Sequence, residues 1–142
     1  SKKRLQKTIN KLDKKGEWVR YQGLVPYSEL HNIYITADLG IFASSCENLP
    51  IILLEKMASG LPIASSNKGP MPQILGDKGE YFNPERPEEI YQAIKKLIGN
   101  PKLRKEMSHA SFDEAKKYNW DHCAFETFSF LEDVFASYKK LI

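Results

Sequence analysis

Leu39-Gly40-Ile41-Phe42-Ala43-Ser44-Ser45-Cys46-Glu47-Asn48-Leu49-Pro50-Ile51-Ile52-Leu53-Leu54-Glu55 is the stretch that decides the fold. Leu39 to Ala43 is a short apolar run and reads as a buried strand, ending in the small polar residues Ser44, Ser45 and Cys46. Asn48 is placed to cap, and Pro50 opens a helix that runs to about Ser59 and closes at Gly60. Leu61 to Ser65 makes the next strand. A strand, a helix and a second strand in this order form a βαβ unit, which requires a parallel sheet and a right-handed crossover.

The alternation continues in both directions. Downstream, Met71 to Leu75 reads as a short helix and Glu80-Tyr81-Phe82 as a brief strand. Ile90, Ala93, Ile94, Leu97 and Ile98 mark an amphipathic helix entered through Pro87, with Glu88 and Glu89 at its positive end. Asn100-Pro101 caps a helix running to about Tyr118, and Asn119 caps a last, aromatic one. Upstream, Leu5, Ile9 and Leu12 have helical spacing up to Gly16, and Trp18 to Gln22 alternates as a strand does. Leu30, Ile33, Tyr34 and Ala37 form the stripe of another helix, expected to be buried. In such sheets ligands bind beyond the carboxyl ends of the strands, so loops 23–28, 44–50, 66–72 and 82–87 are the ones to inspect.

Composition narrows the function. With 142 residues, 42% hydrophobic and 27% charged, the chain has the make-up of a soluble globular domain. No apolar run approaches the 20 or so residues that span a bilayer, and no signal-peptide core follows Lys2-Lys3-Arg4. Cys46 and Cys123 form no disulfide framework, and His31, His109 and His122 lie far apart, so no metal or other cofactor is expected. A cytoplasmic protein is the expectation. Residues 1–15 carry seven Lys/Arg and one Asp, whereas the rest holds 14 Lys/Arg against 17 Asp/Glu. Charge gathered at one end, not spread over a face with aromatics, argues against nucleic acid. The basic end reads as a solvated helix face, or as a weak peripheral contact with anionic lipid headgroups at a membrane.

Loop 44–50 carries the chemistry. The backbone N–H groups of Ile51 and Ile52 are expected to be free at the helix start, and a helix start with free amides is an anion site. Glu47 stands just outside that start and Glu55 inside the helix, about 7.5 Å along its axis from Pro50. The links back to Glu47 reach at most about 10 Å. Carboxylates only accept, and each can take two hydroxyl hydrogens, so the pair suits diols at the two ends of a nucleotide-sugar. The plainer account is dipole stabilisation by Glu47 and solvation of Glu55. For Glu55 that account is strained by Leu53, Leu54, Met57 and Ala58 around it.

The segment resembles the E-x7-E signature of retaining glycosyltransferases of family 4, with Glu47 and Glu55 as its acids. Gly23-Leu24-Val25, Tyr34 to Asp38, Met57 to Ile63, Pro72-Gln73-Ile74, Tyr81 to Pro84, the Ile90–Ile98 helix and Tyr118-Asn119-Trp120 resemble the family's successive blocks. The resemblance implies the GT-B architecture, two Rossmann-like domains facing across a cleft. Residues 1–142 would be a single donor-binding domain, without the N-terminal acceptor domain and the first strands of its own half. It implies transfer, with retention, of a hexose from a UDP- or GDP-sugar to a glycan or lipid-linked acceptor, as in polysaccharide or lipopolysaccharide biosynthesis. By the same resemblance Glu47 would be catalytic near the hexose and Glu55 would hold the ribose. Ile51 and Ile52 would meet the diphosphate, Asn48 and Leu49 the sugar, and Val25 the base edge, with no metal.

The match has departures. Asn48-Leu49-Pro50 stands where Gly-Phe-Gly is common, Lys56 where alanine is usual, Gln73 where glutamate is frequent and Pro70 where glycine is. A nucleotide-sugar epimerase of the same architecture and a non-catalytic nucleotide-binding module stay open beside the transferase. The final helix carries one stripe of Ala124, Phe128, Leu131, Phe135 and Tyr138, and a second of Cys123, Phe130, Val134 and Leu141. That width implies a further packing partner, or burial in the domain's own core. Phe112 and Met107 read as core residues.

Overall fold

The computed structural model describes residues 2–139, and the chain divides into two compact units, residues 1–30 and 31–142. Leu141 of the expected second stripe lies outside the described residues.

The first unit holds α1 (Lys2–Leu12) and the start of α2 (Tyr27–Tyr34). The Leu5, Ile9 and Leu12 stripe of α1 is there, but α1 buries none of its residues. The strand expected at Trp18 to Gln22 does not form. The alternation is present, yet a strand exists only by pairing. Asp13, just past the end of α1, takes the amides at its start: its carboxylate accepts the N–H groups of Glu17, Trp18 and Val19 at 2.9, 3.0 and 2.8 Å. Burial works to raise the Asp13 carboxyl, but bonds from Val19, Trp18, Glu17 and Gly16 outweigh it and hold the group below its ordinary 3.8.

The second unit is the α/β layer structure expected. β1 (Gly40–Phe42), β2 (Ile63–Ser66) and β3 (Gly79–Phe82) form a three-stranded parallel sheet in the order β1-β2-β3. Gly40 pairs with Ile63 and Ile63 with Gly79, so one row crosses the sheet. Every residue of β2 is buried, as a central strand covered on both faces must be. Period-2 alternation then splits the core. On one face Ile63 joins Phe42, Leu53, Met57, Met71, Ile74 and Leu75, from the strands, α3 (Ile51–Ala58) and α4 (Met71–Leu75). On the other, Ala64 and Phe82 meet Ala93 and Leu97 of α5 (Pro87–Gly99).

Local signals place the ends. Gly60, at φ 71°, ends α3: its N–H bonds the Met57 carbonyl and that of Leu61 reaches back to Lys56, the paired closure a left-handed residue allows. Asn100 caps α6 (Pro101–Ala115) through the Leu103 N–H at 3.0 Å, and Asn119 caps α7 (Trp120–Lys139) through His122 N–H at 2.9 Å. Ser111 and Ser108 of α6 donate to the carbonyls of Leu61 and Gly60, which ties α6 to the turn into β2.

Three expectations on packing need correction. α2 ends at Tyr34, so Ala37 falls outside it and is exposed, while Leu30, Ile33 and Tyr34 are half-buried. Phe112 is not core but lies exposed under the Lys116 ammonium, 4.5 Å above its ring; Met107 packs against the α5 cluster as expected. α7 buries none of its described residues, so burial in the domain's own core is excluded for them. Phe125, Phe128, Phe130, Leu131 and Phe135 all stand exposed.

Leu53 has no exposed surface, so Leu53→Ala should lower the unfolding free energy by about 3 kcal/mol. Phe128→Ala should change it by less than about 0.5 kcal/mol. Urea unfolding of the two variants checks the contrast. Asp13 yields a pH prediction. Its folded pKa is depressed, so the hold on the 13–19 turn is present above about 3.8 and is lost as pH falls through the lower, folded value. The amide resonances of Glu17, Trp18 and Val19 should titrate together with a midpoint below 3.8, and Asp13→Asn should abolish that titration.

Candidate functional site

Parallel pairing puts the carboxyl ends of β1, β2 and β3 on one edge, and with them loops 43–50, 67–70 and 83–86. Two contacts join the loops. Asn67 N–H donates to the Phe82 carbonyl at 2.9 Å, linking the ends of β2 and β3. Gly69, at φ 53°, lies against the Glu47 backbone: a Cβ there would stand 3.7 Å from the Glu47 carbonyl oxygen. The Lys68 N–H donates to Ser66 Oγ at 3.2 Å, which turns the chain toward Gly69.

Glu47 is half-buried beside Gly69, whereas Asn48 and Leu49 are exposed on the same loop. Asn48 does not cap α3. Pro50 is the N-cap, its own side chain fully buried, and no side chain bonds there. The reason is a tight turn. Pro50, at φ −79° and ψ 75°, has the geometry of an inverse γ-turn, and the Ile51 N–H accordingly donates to the Leu49 carbonyl at 2.9 Å. The expectation of two free amides is thereby corrected for Ile51; for Ile52 no acceptor lies among the described residues. Leu49, Ile51 and Ile52, each more than half exposed, form an apolar lip at this helix start.

Glu55 is half-buried on the second turn of α3 and accepts the Tyr34 hydroxyl at Oε2, 3.2 Å away. Its neighbour Lys56 is turned to β1: the ammonium donates to the Ile41 carbonyl at 2.6 Å and sits 5.5 Å above the Phe42 ring. Burial lowers the Lys56 pKa, with Glu55 working the other way. Val25 belongs to the first unit, where it is half-buried.

The structure thus puts Glu47, Asn48, Leu49, Ile51, Ile52 and Glu55 on one loop–helix segment at the binding edge of the sheet. Residues beyond those expected also bear on the site. Lys68 is exposed one position before Gly69, and its signal in the sequence was being the one basic residue of loops 44–50 and 66–72. The Tyr34–Glu55 bond spans 21 positions and had no local signal. Among the described residues no three His, Cys, Asp or Glu side chains gather as around a metal ion. Two open grooves lie off this edge, one along β3 and α5, and one of about 570 Å³ lined by Leu39, Ile41, Ile94 and Ile98. Neither contains Glu47 or Glu55. The strand-end location and the paired acids make the carboxyl edge the candidate site.

Residues 1–113 match the family model described as Glycosyl transferases group 1, and the chain belongs to that family. It is 28% identical to an O-antigen chain mannosyltransferase B of Escherichia coli over 110 residues, 78% of this chain and 29% of that protein. It is 30% identical to a sulfoquinovosyl transferase of Arabidopsis thaliana over 105 residues, 70% of this chain and 21% of that one. The chain thus spans less than a third of the length of these relatives. Among solved structures it is similar to a sucrose-phosphate synthase from Thermosynechococcus elongatus, with a TM-score of 0.83 at 19% identity over 95% of this chain and 34% of that one. The C-terminal domain of a group 1 glycosyl transferase from Francisella tularensis gives 0.69 at 23% identity, over 82% of this chain and 60% of that one. The fold is the Rossmann-like α/β domain of GT-B glycosyltransferases.

Gly69→Ala tests how the Glu47 loop is supported. The left-handed backbone should cost about 1 kcal/mol in a non-glycine residue, and the added methyl meets the Glu47 backbone. Urea unfolding should record the loss, and the Glu47 amide resonance should move while those of α5 stay in place.

Proposed function

We propose that this chain is the donor-binding part of a retaining glycosyltransferase. It would hold a UDP- or GDP-sugar for transfer of the hexose to a glycan or lipid-linked acceptor. The observation that carries the reading is the pair Glu47 and Glu55, half-buried on either side of the α3 start at the carboxyl edge of a parallel sheet. In this reading Glu55 takes the ribose hydroxyls, the Ile52 amide and the positive end of α3 face the diphosphate, and Lys68 adds a cation beside them. Glu47 lies by the hexose, near the reacting carbon, with Asn48 and Leu49 against the sugar. As the glycosidic bond breaks, negative charge grows on the departing diphosphate. A fixed dipole and a cation aimed at it stabilise that charge without a metal ion.

The acceptor side of the reaction belongs to the rest of a longer protein, including an N-terminal domain facing this one. The O-antigen mannosyltransferase relative favours a surface glycan as product. No helix among the described residues is long and apolar enough to cross a membrane. An enzyme building such a glycan would work in the cytoplasm, and the exposed basic face of α1 suits peripheral contact with anionic headgroups.

Titration of the 142-residue chain with UDP and with GDP, followed by amide resonances, tests the reading. Shifts concentrated at residues 47–55 and at Lys68 are expected, and a flat response there at millimolar nucleotide contradicts it. In the whole protein Glu47→Ala should lower transfer by at least about 100-fold with the fold intact. The anomeric configuration of the product, compared with that of the donor, reports retention.

A further inference from the structure

The hydroxyl of Tyr34 donates to Glu55 from a different helix, and we propose that Tyr34 is a positioning residue that makes the site prefer ribonucleotides over deoxyribonucleotides. The inference rests on the donor-site reading of Glu55. Tyr34 is the last residue of α2, and its half-buried ring packs against the core formed by Phe42, Leu53 and Met57. The ring is therefore fixed by packing, and its hydroxyl reaches Glu55 Oε2 at 3.2 Å. On α3, Leu53 and Met57 on either side of Glu55 are fully buried, so the backbone that carries the carboxylate is fixed as well.

The kind of partner matters. A glutamate held by a lysine or arginine has its charge matched inside the protein, whereas one held by a tyrosine hydroxyl is oriented by a neutral donor. The nearest cation in sequence, Lys56, is committed to the Ile41 carbonyl, and Glu55 makes no ion pair among the described residues. A carboxylate has about four acceptor sites, so the Tyr34 bond leaves capacity for donors from outside. Hydroxyl groups are donors of the right kind. A ribose presents two on adjacent carbons, and a sugar that lacks them leaves the carboxylate short of partners. Tyr34 thereby converts a flexible side chain into a fixed acceptor aimed at a diol.

Calorimetry on the 142-residue chain, with UDP, GDP and their 2′,3′-dideoxy counterparts, tests this. The wild type should bind the ribonucleotides more tightly. Tyr34→Phe, which keeps the ring in the core, should weaken ribonucleotide binding about fivefold and leave the dideoxy forms unchanged. In a Glu55→Gln background the same substitution should add nothing. Equal weakening of both nucleotide classes, or an additive effect in the double variant, would show that Tyr34 merely braces the fold and would overturn the inference. Should the wild type bind neither class, or both alike, the assignment of Glu55 to ribose fails, and the inference fails with it.

Discussion

One row across the sheet holds the site in place: Gly40 on β1, Ile63 on β2 and Gly79 on β3. Ile63 is fully buried, and a Cβ on Gly40 would meet its Cδ1 at 2.9 Å and the Lys56 side chain at 3.3 Å. A Cβ on Gly79 would run into the Leu75 side chain and stand 3.0 Å from the Ile63 carbonyl. With glycine on both flanks, the isoleucine and the neighbouring side chains close over the strands. Because side chains alternate strictly, a slip of one residue would move Ile63 to the α5 face and Ala64 into the larger core. The register is therefore fixed by volume, and it sets how far along the carboxyl edge the loops of neighbouring strands stand from one another.

From that edge the chemistry is a matter of how one helix begins. Pro50 is buried and bends the chain through a γ-turn, so the Ile51 amide is satisfied internally and α3 starts without a side-chain cap. The loop before it is backed by Gly69, whose left-handed backbone a glycine adopts without strain. Glu47 is thus set by backbone packing from a neighbouring loop, and Glu55 by a hydroxyl bond from a different helix. Lys56 shows what a departure from the family pattern does locally: its side chain lies along β1 against Gly40 and the Phe42 ring, not in the site.

Much of this could be read from the residues because the deciding signals are local. Pro87, Asn100-Pro101, Asn119 and Gly60 act within a turn of themselves, and each element end they mark is where the sequence puts it. The acid pair, too, is visible as two glutamates eight positions apart. Features set by a particular side-chain contact, by turn angles or by a distant partner could not be read. Trp18 to Gln22 has a strand's alternation, but Asp13 takes its first amides. Phe112 has helical spacing and a core residue's chemistry, yet faces Lys116 and solvent. The Ile51 amide was lost to a turn whose angles no pattern reveals, and the Tyr34–Glu55 bond joins residues 21 positions apart on two helices.

A crystal structure of the chain with an intact UDP- or GDP-sugar would meet the central claim head-on. The account predicts the ribose hydroxyls on the Glu55 carboxylate, the diphosphate over the start of α3 and the hexose beside Glu47. A nucleotide-sugar lying in the groove lined by Leu39, Ile41, Ile94 and Ile98, with both carboxylates facing solvent, would contradict it.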